Sequence, residues 1–471
     1  MIMRKNQIIT IVSLLGLCFV YAFSFFYLAC DLPQFGFYIV LMGGIFLTAI
    51  FVFFIGKKYC TDMTSLIFIP ILITCFQNVI LGMEINVIDK KQLLFFIVTN
   101  VVYAWILVFL GLLFLSKDYM VKKVTICLAL IAIYSLLLLI FFPVDIITFA
   151  SSFRNISSPF IFFLLGAVFA KKCDTDYFTK ILIVVFTFVF IVGLYEYFID
   201  SNFWIKLNIG ELWNKKGIFI DKFTGKPYNH LSAEIIGGKQ LPRLVSTFAE
   251  PVNLGSFSMF CGLIFWWKKK YVYFTMALVT SVLTVSKGAL VGYIVLFLVA
   301  FLIKMNDESK MFFLPIIMGG LIIALIYMVN FSASAAIHFS GFINAFQNID
   351  KYILGIGVGN AGVYANLYNS TMKSTIQESG LGVILVQIGI PGIICYTYLL
   401  IVILKKINKL KVKRGKIMLY TMIISVYALF TFSESGIGPN TCSYFMIFIG
   451  LCIGNCKLNN FINAPITNHC I

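Results

Sequence analysis

The sequence predicts an all-α, polytopic integral membrane protein of about 14 transmembrane helices (12–14) with two long extracytoplasmic loops. Three observations predict it. Of the 471 residues 61% are hydrophobic, and the mean hydropathy is +0.99; soluble domains sit nearer roughly 45–50% apolar. Charged residues fall to 12% and cluster between apolar runs of about 16–24 residues, each long enough to cross a hydrocarbon core of roughly 30 Å. The runs are continuous and do not alternate, which excludes a membrane β-barrel.

In chain order the expected spans are 7–29, 36–55, 63–82, 93–115, 124–142, 159–171, 180–198, 252–267, 271–286, 288–303, 311–330, 378–403, 417–432 and 441–455. Arg4 and Lys5 precede the first run, and no small-residue cleavage site follows it, so it reads as a retained span. Lysines recur on every second turn: Lys57 and Lys58, Lys117 to Lys123, Lys171 and Lys172, Lys268 to Lys270, Lys304 to Lys310, and the run KKINKLKVKRGK at 405–416. With the N-terminus inside, all of these turns fall on the cytoplasmic side, and the even span count puts the C-terminus there too. The net charge of +17 is thereby read as topology, and no nucleic-acid partner is expected. The twelve cysteines lie in or beside apolar runs without a CxxC pair and read as small apolar residues.

This frame divides the chain into N-terminal transmembrane helices (1–198), a first long extracytoplasmic loop (199–251), further transmembrane helices (252–330), a second long loop (331–377), and C-terminal transmembrane helices with a cytoplasmic tail (378–471). Shorter outer segments are expected at 143–158, 284–288 and 433–440. The first long loop mixes aromatic residues with charges of both signs. The second holds an amphipathic stretch at 339–349 and GIGVGNAG at 355–362. Loops of that size on a helical scaffold carry function more often than simple turns do.

Arginine usage singles out candidates. Of four arginines, Arg4 and Arg414 belong to the cytoplasmic pattern, whereas Arg154 and Arg243 fall on the outer side. Guanidinium binds phosphate oxygens bidentately, as lysine cannot; the plainer alternative is a pair with a loop carboxylate or a lipid headgroup. Glu250, just before Pro251 at a helix start, either complements the helix dipole, pairs with Arg243, or meets substrate. Glu378 opens ESGLGVILVQIGIPG and could serve as a general base at the outer end of a span, or simply start the helix. Glu434 in SESGIGPN is a candidate of the same kind. Lys287 in LTVSKGAL could hold a phosphate or snorkel to headgroups. His338 stands alone in the second long loop. GIGVGN lacks a preceding strand, so it reads as backbone approaching a ligand or another helix and not as a nucleotide fingerprint. No outer HxxxH, DxD or Cys/His cluster suggests a metal, and no cofactor is expected.

Four segments within about 240–400 together resemble the bacterial O-antigen polymerases and ligases, polytopic enzymes acting on polyprenyl-diphosphate-linked glycans. RLVSTFAEPVNLG at 243–255 is similar to the family's arginine, small residue, phenylalanine, proline and glycine pattern. LTVSKGALVG at 283–292 is similar to its serine–basic–small pattern, with Lys287 where arginine is common. LGIGVGNAG at 354–362 resembles its glycine-rich turn, and ESGLGVILVQIGIPGII at 378–394 the helix that follows, with the Gly389/Gly392 spacing. Ligases start that last motif with a histidine, where Glu378 and Ser379 stand here; relatives often have an arginine early in the second long loop, where this chain offers His338. Both departures point toward a polymerase.

The resemblance implies metal-independent glycosyl transfer at the outer face of the cytoplasmic membrane, joining undecaprenyl-diphosphate-linked oligosaccharide repeat units into O-antigen, capsular or exopolysaccharide. Arg243, Arg154 and Lys287 would hold the diphosphate. Glu378 would be the leading base and Glu250 the second. Membrane lipids, chain-length regulators and flippases are the expected neighbours. An O-antigen ligase, or a flippase or transporter of the same lipid-linked oligosaccharides, is the alternative reading.

Overall fold

The computed structural model describes residues 2–30, 33–59, 62–116, 118–217, 219–221, 225–236, 239–305, 333–363, 365 and 379–454. The expected span 311–330, Glu378 and the tail beyond 454 lie outside the described residues. Helix α1 (Ile2–Ala29) leads to α2 (Gln34–Tyr38), a π turn (Ile39–Gly43) and α3 (Gly44–Tyr59), which merge into one span, followed by α4 (Thr64–Met83). Helices α5 (Lys90–Ile97) and α6 (Thr99–Phe114) occupy one expected span but are bent by 43°. Asp89 caps α5 by accepting from the Gln92 N–H at 2.7 Å, and the Gln92 side chain accepts from the Asp89 N–H at 2.8 Å. Then come α7 (Tyr119–Phe141), α8 (Ile146–Phe169) and α9 (Thr175–Leu194), which ends in a π turn (Tyr195–Ile199).

The segment 199–251 folds over the end of this first bundle. It carries two short helices, α10 (Phe203–Lys206) and α11 (Ile209–Lys215), and an antiparallel hairpin of β1 (Leu231–Ile236) and β2 (Lys239–Pro242) that pairs Leu231 with Pro242 and Ile236 with Lys239. Helices α12 (Pro251–Trp267), α13 (Tyr271–Leu283) and α14 (Lys287–Lys304) follow. After the undescribed stretch come α15 (Ala333–Gln347), α16 (Gly380–Asn408), α17 (Lys413–Phe432), the single turn α18 (Glu434–Ile437) and α19 (Pro439–Gly454).

Among the described residues nine helices are long and apolar enough to cross a membrane, or ten when the bent pair counts as one span. The chain is an all-α multi-pass membrane protein, with one small hairpin among the described residues. Three expected spans emerge too short to be among these nine: α12 has 17 residues, α13 has 13, a rise of about 20 Å, and α19 has 16. Helix α19 is buried along almost its whole length against α8. A Cβ on Gly166 would lie 1.9 Å from the Ile447 carbonyl oxygen, and one on Gly450 would lie 2.2 Å from that of Phe163. Only glycine permits these two backbones to touch, which is how helices associate where apolar burial against lipid offers no drive.

One expectation needs correcting. The segment 143–158, read as an outer loop, is helix from Ile146 onward, so the span expected at 159–171 begins thirteen residues earlier and Arg154 lies within α8. The first half of α8 is rich in serine, threonine, asparagine and arginine, which lowers its hydropathy. Yet 94% of its most apolar window is buried inside the protein, where polar side chains need not face lipid.

Three of the lysine-rich turns, at 171–172, 268–270 and 405–416, meet at one end. Lys268 pairs with Asp176 at 2.5 Å, Arg414 covers the Trp266 ring at 4.5 Å, and the Met63 N–H donates to the Lys172 carbonyl at 2.7 Å. Helices α4, α8, α9 and α12 each run between that end and the other, where 199–251 sits.

Candidate functional site

The residues 244–249 form the floor of the site. All six are buried, and a buried irregular segment must have its backbone groups satisfied by neighbours. The Ser246 N–H donates to Glu196 Oε2 at 2.8 Å, and the Ser246 hydroxyl to the Val189 carbonyl at 2.5 Å. Asn78 Nδ2 of α4 donates to the Phe248 carbonyl at 2.6 Å. The Ala249 carbonyl accepts from the indole N–H of Trp213 at 2.9 Å and from His230 Nε2, also at 2.9 Å. A carbonyl can only accept, so His230 carries its proton on Nε2. Burial pushes the His230 imidazole down to about 4, so it stays neutral at physiological pH. Ser246 and Ala249 hold left-handed backbone angles, φ 46° and 50°; strain of this kind persists only where surroundings over-determine the fold.

Arg243 enters this floor from β2. Its Nε donates to the Thr284 carbonyl at 2.8 Å and its Nη1 to the Asn229 carbonyl at 3.4 Å, while the Leu244 N–H donates to the Leu283 carbonyl at 3.0 Å. Two of the sequence motifs, 243–255 and 283–292, are thereby bolted together. Lys287 opens α14 three residues after Thr284 and is exposed. Glu250 stands at the N-cap of α12 without making a capping hydrogen bond. Burial raises its carboxyl above the usual range; Arg243 and Lys216 draw it partly back, as does the nearby Asn253 N–H. Glu250 thus faces both the basic residues and the first turn of α12.

Lys216 escaped the sequence reading. Following α11, its Nζ donates to Asn78 Oδ1 at 2.7 Å and lies 4.6 Å from the centre of the Trp213 ring. Burial pushes its ammonium down to about 7, Glu250 opposing the fall and Arg154 deepening it. Its neighbour Lys215 donates to the Ile85 and Ile88 carbonyls at 2.7 and 2.8 Å and so pins α11 to the chain beyond α4. Arg154 is buried on α8, its Nε and Nη2 donating to Asn155 Oδ1 at 3.2 and 3.0 Å. The structure thus brings Glu250 within electrostatic reach of Arg243 and Lys216, and Lys216 within reach of Arg154, with Lys287 three residues after the Thr284 that holds Arg243.

Two of the other candidates are described. Glu434 is buried at the start of α18, and its Oε2 accepts from the Val363 N–H at 2.8 Å, tying it to the glycine-rich turn. His338 lies on α15, partly buried. Glu378 falls outside the described residues. The turn at 355–362 docks on a break in α16. Pro391 has no N–H to offer the Gln387 carbonyl, which accepts instead from the Gly357 N–H at 3.1 Å. The Val386 carbonyl accepts from Ile356 at 2.8 Å, and the Ile390 N–H donates to Ile353 at 2.9 Å. Gly389 (φ 65°) makes the break, and a Cβ there would lie 2.4 Å from the Ile353 oxygen. The motif's glycines serve helix approach.

Glu196 was also missed, although the sequence did carry a signal: it is a lone carboxylate within the expected span 180–198. Among the described residues no group of three or more His, Cys, Asp or Glu side chains is placed to hold a metal. In comparisons with known proteins, no family model matches the chain and no curated protein matches its sequence.

Proposed function

We propose that this chain polymerises polyprenyl-diphosphate-linked oligosaccharide repeat units by glycosyl transfer at the outer face of the cytoplasmic membrane. The observation that carries the reading is the convergence of Arg243 and Lys216 on Glu250, with Arg154 in electrostatic reach of Lys216. Basic side chains from three separate elements, set at the N-terminus of α12, make a place where a diphosphate is favoured over its hydrated state. The donor is already activated. The protein needs to orient it, stabilise the diphosphate as charge develops on it, and take one proton from the acceptor hydroxyl. Arg243 and Lys216 supply the charge in the floor, Arg154 supports it from α8, and the exposed Lys287 at the start of α14 is the further cation. Glu250 is a base within the cluster, and Glu378 is a second candidate for that role.

A flippase for the same lipid is favoured by one observation: α16 is broken at Gly389 and the α5–α6 pair is bent, as in transporters built from discontinuous helices. A gel profile of surface polysaccharide separates the readings, comparing a strain lacking the gene with strains carrying Arg243→Ala or the exposed Lys287→Ala. Single repeat units without a ladder in the deletion strain and in Arg243→Ala, with a shortened ladder in Lys287→Ala, are expected. Full-length polymer left on its carrier would assign a ligase. Repeat units trapped on the cytoplasmic face would assign a flippase.

A further inference from the structure

Asn78 lies in the second half of α4 and is buried. A carboxamide in a membrane-spanning helix is costly unless both its ends are bonded. Here both are: Nδ2 donates to the Phe248 carbonyl at 2.6 Å, and Oδ1 accepts from Lys216 Nζ at 2.7 Å. The orientation of the group follows from its partners. A carbonyl only accepts and an ammonium only donates, so the amide nitrogen faces Phe248 and the amide oxygen faces Lys216. Aspartate of the same shape would leave the Phe248 carbonyl without its donor, and leucine would serve neither partner.

The two partners belong to different parts of the chain. Phe248 is in the floor, two residues before Glu250, whereas Lys216 follows α11. Trp213 ties the same pieces a second time: its indole N–H donates to the Ala249 carbonyl at 2.9 Å, and its ring centre lies 4.6 Å from Lys216 Nζ. The ammonium therefore stands where α4, the end of α11 and the floor meet. The charged groups that face it are Glu250, which favours its charge, and Arg154, which opposes it. The adjoining Lys215 turns its own ammonium to the Ile85 and Ile88 carbonyls. A lysine ammonium is a point charge on a flexible stem, and the Asn78 oxygen fixes where that charge sits relative to the floor. We infer that Asn78 is a positioning residue of the site: it holds the Lys216 ammonium in register with the backbone that carries Glu250, so that cation and carboxylate meet a bound anion together. This rests on the proposed function for the identity of that anion, a lipid-linked diphosphate.

The test uses the full-length protein in lipid nanodiscs. Lys216 is titrated by competitive labelling with acetic anhydride, which acylates the free amine and not the ammonium, and the labelled peptide is quantified by mass spectrometry at each pH. Asn78→Asp sets a carboxylate against the ammonium and should move the Lys216 midpoint up by about 1–3 pH units. Asn78→Leu removes the acceptor and should move it down by roughly one. A purely structural role for Asn78 gives no such reversal of sign. A midpoint that stays in place in both variants, or moves the same way in both, would overturn the inference. Should Asn78→Leu fail to fold, Asn78→Asp decides by itself, an unmoved midpoint again overturning it. Gel profiles of surface polysaccharide separate this from the reading beneath it. Loss of the ladder on gene deletion with an unmoved Lys216 midpoint would remove the role of Asn78 alone. Midpoints displaced in opposite directions, in a chain whose deletion leaves the ladder intact, would keep that role and remove the polymerase reading.

Discussion

Lys216 shows how a residue without a sequence signature becomes central. In NKKG it is one of many loop lysines, and only the docking of α11 on α4 buries it between Asn78, Trp213 and the charges of Glu250 and Arg154. Its ammonium, lowered to about 7, carries charge below that pH and loses it above. On the proposed function a charged Lys216 would attract the diphosphate, so kcat/KM should fall as pH rises through about 7. Lys216→Arg, whose guanidinium stays charged throughout, should flatten that limb; persistence of the limb in the variant would assign it elsewhere. Stability moves the opposite way. The folded pKa lies below that of a free lysine, so between about 7 and the ordinary lysine range the unfolded chain binds more protons and the folded state gains stability with pH. Opposite slopes for activity and melting temperature over that window would identify Lys216 as the titrating group.

At the scale of elements, the break in α16 is the clearest device. Gly389 sits at positive φ against the Ile353 carbonyl, and Pro391 frees the carbonyl that the glycine-rich turn then occupies. Gly389→Ala should cost about 1–2 kcal/mol for the left-handed backbone and about 1–3 kcal/mol more for overpacking, read as a lower melting temperature. Gly43→Ala is the control: nothing lies within 4 Å of its added Cβ, so it should be neutral or stabilising by up to about 1 kcal/mol. Equal effects of the two would show that the docked turn does not hold α16. Both motifs were legible as glycine-rich segments; that they meet was not, because contacts between residues some thirty positions apart leave no mark on local composition. Helix α8 shows the converse failure. Its polar first half resembled a loop because hydropathy measures preference for lipid, and this helix faces protein.

For the whole molecule, the two ends differ in chemistry. One gathers Lys172, Lys268 and Arg414 with Asp176 and Trp266; the other gathers Arg243, Lys216, Arg154 and Glu250. The positive-inside pattern assigns the first end to the cytoplasm. Alkaline phosphatase, active only after export, should therefore be inactive when fused after Lys409 and active when fused after Gly217. The reverse pattern would put the basic cluster on the cytoplasmic side and end the outer-face reading.

Taken alone, the sequence determined that this chain is a helical multi-pass membrane protein, because apolar runs of spanning length and the placement of lysine are local properties that each segment carries with it. It also marked Arg243, Glu250, Lys287 and Arg154 as residues out of place for their surroundings. Only the tertiary structure decided which of these work together. It drew Lys216 and Glu196 into the site, placed Arg154 inside a helix, and turned Glu434 toward the glycine-rich turn. The physical reason is that burial and electrostatic reach are set by which helices pack against one another, and a single sequence records a residue's type without recording its neighbours.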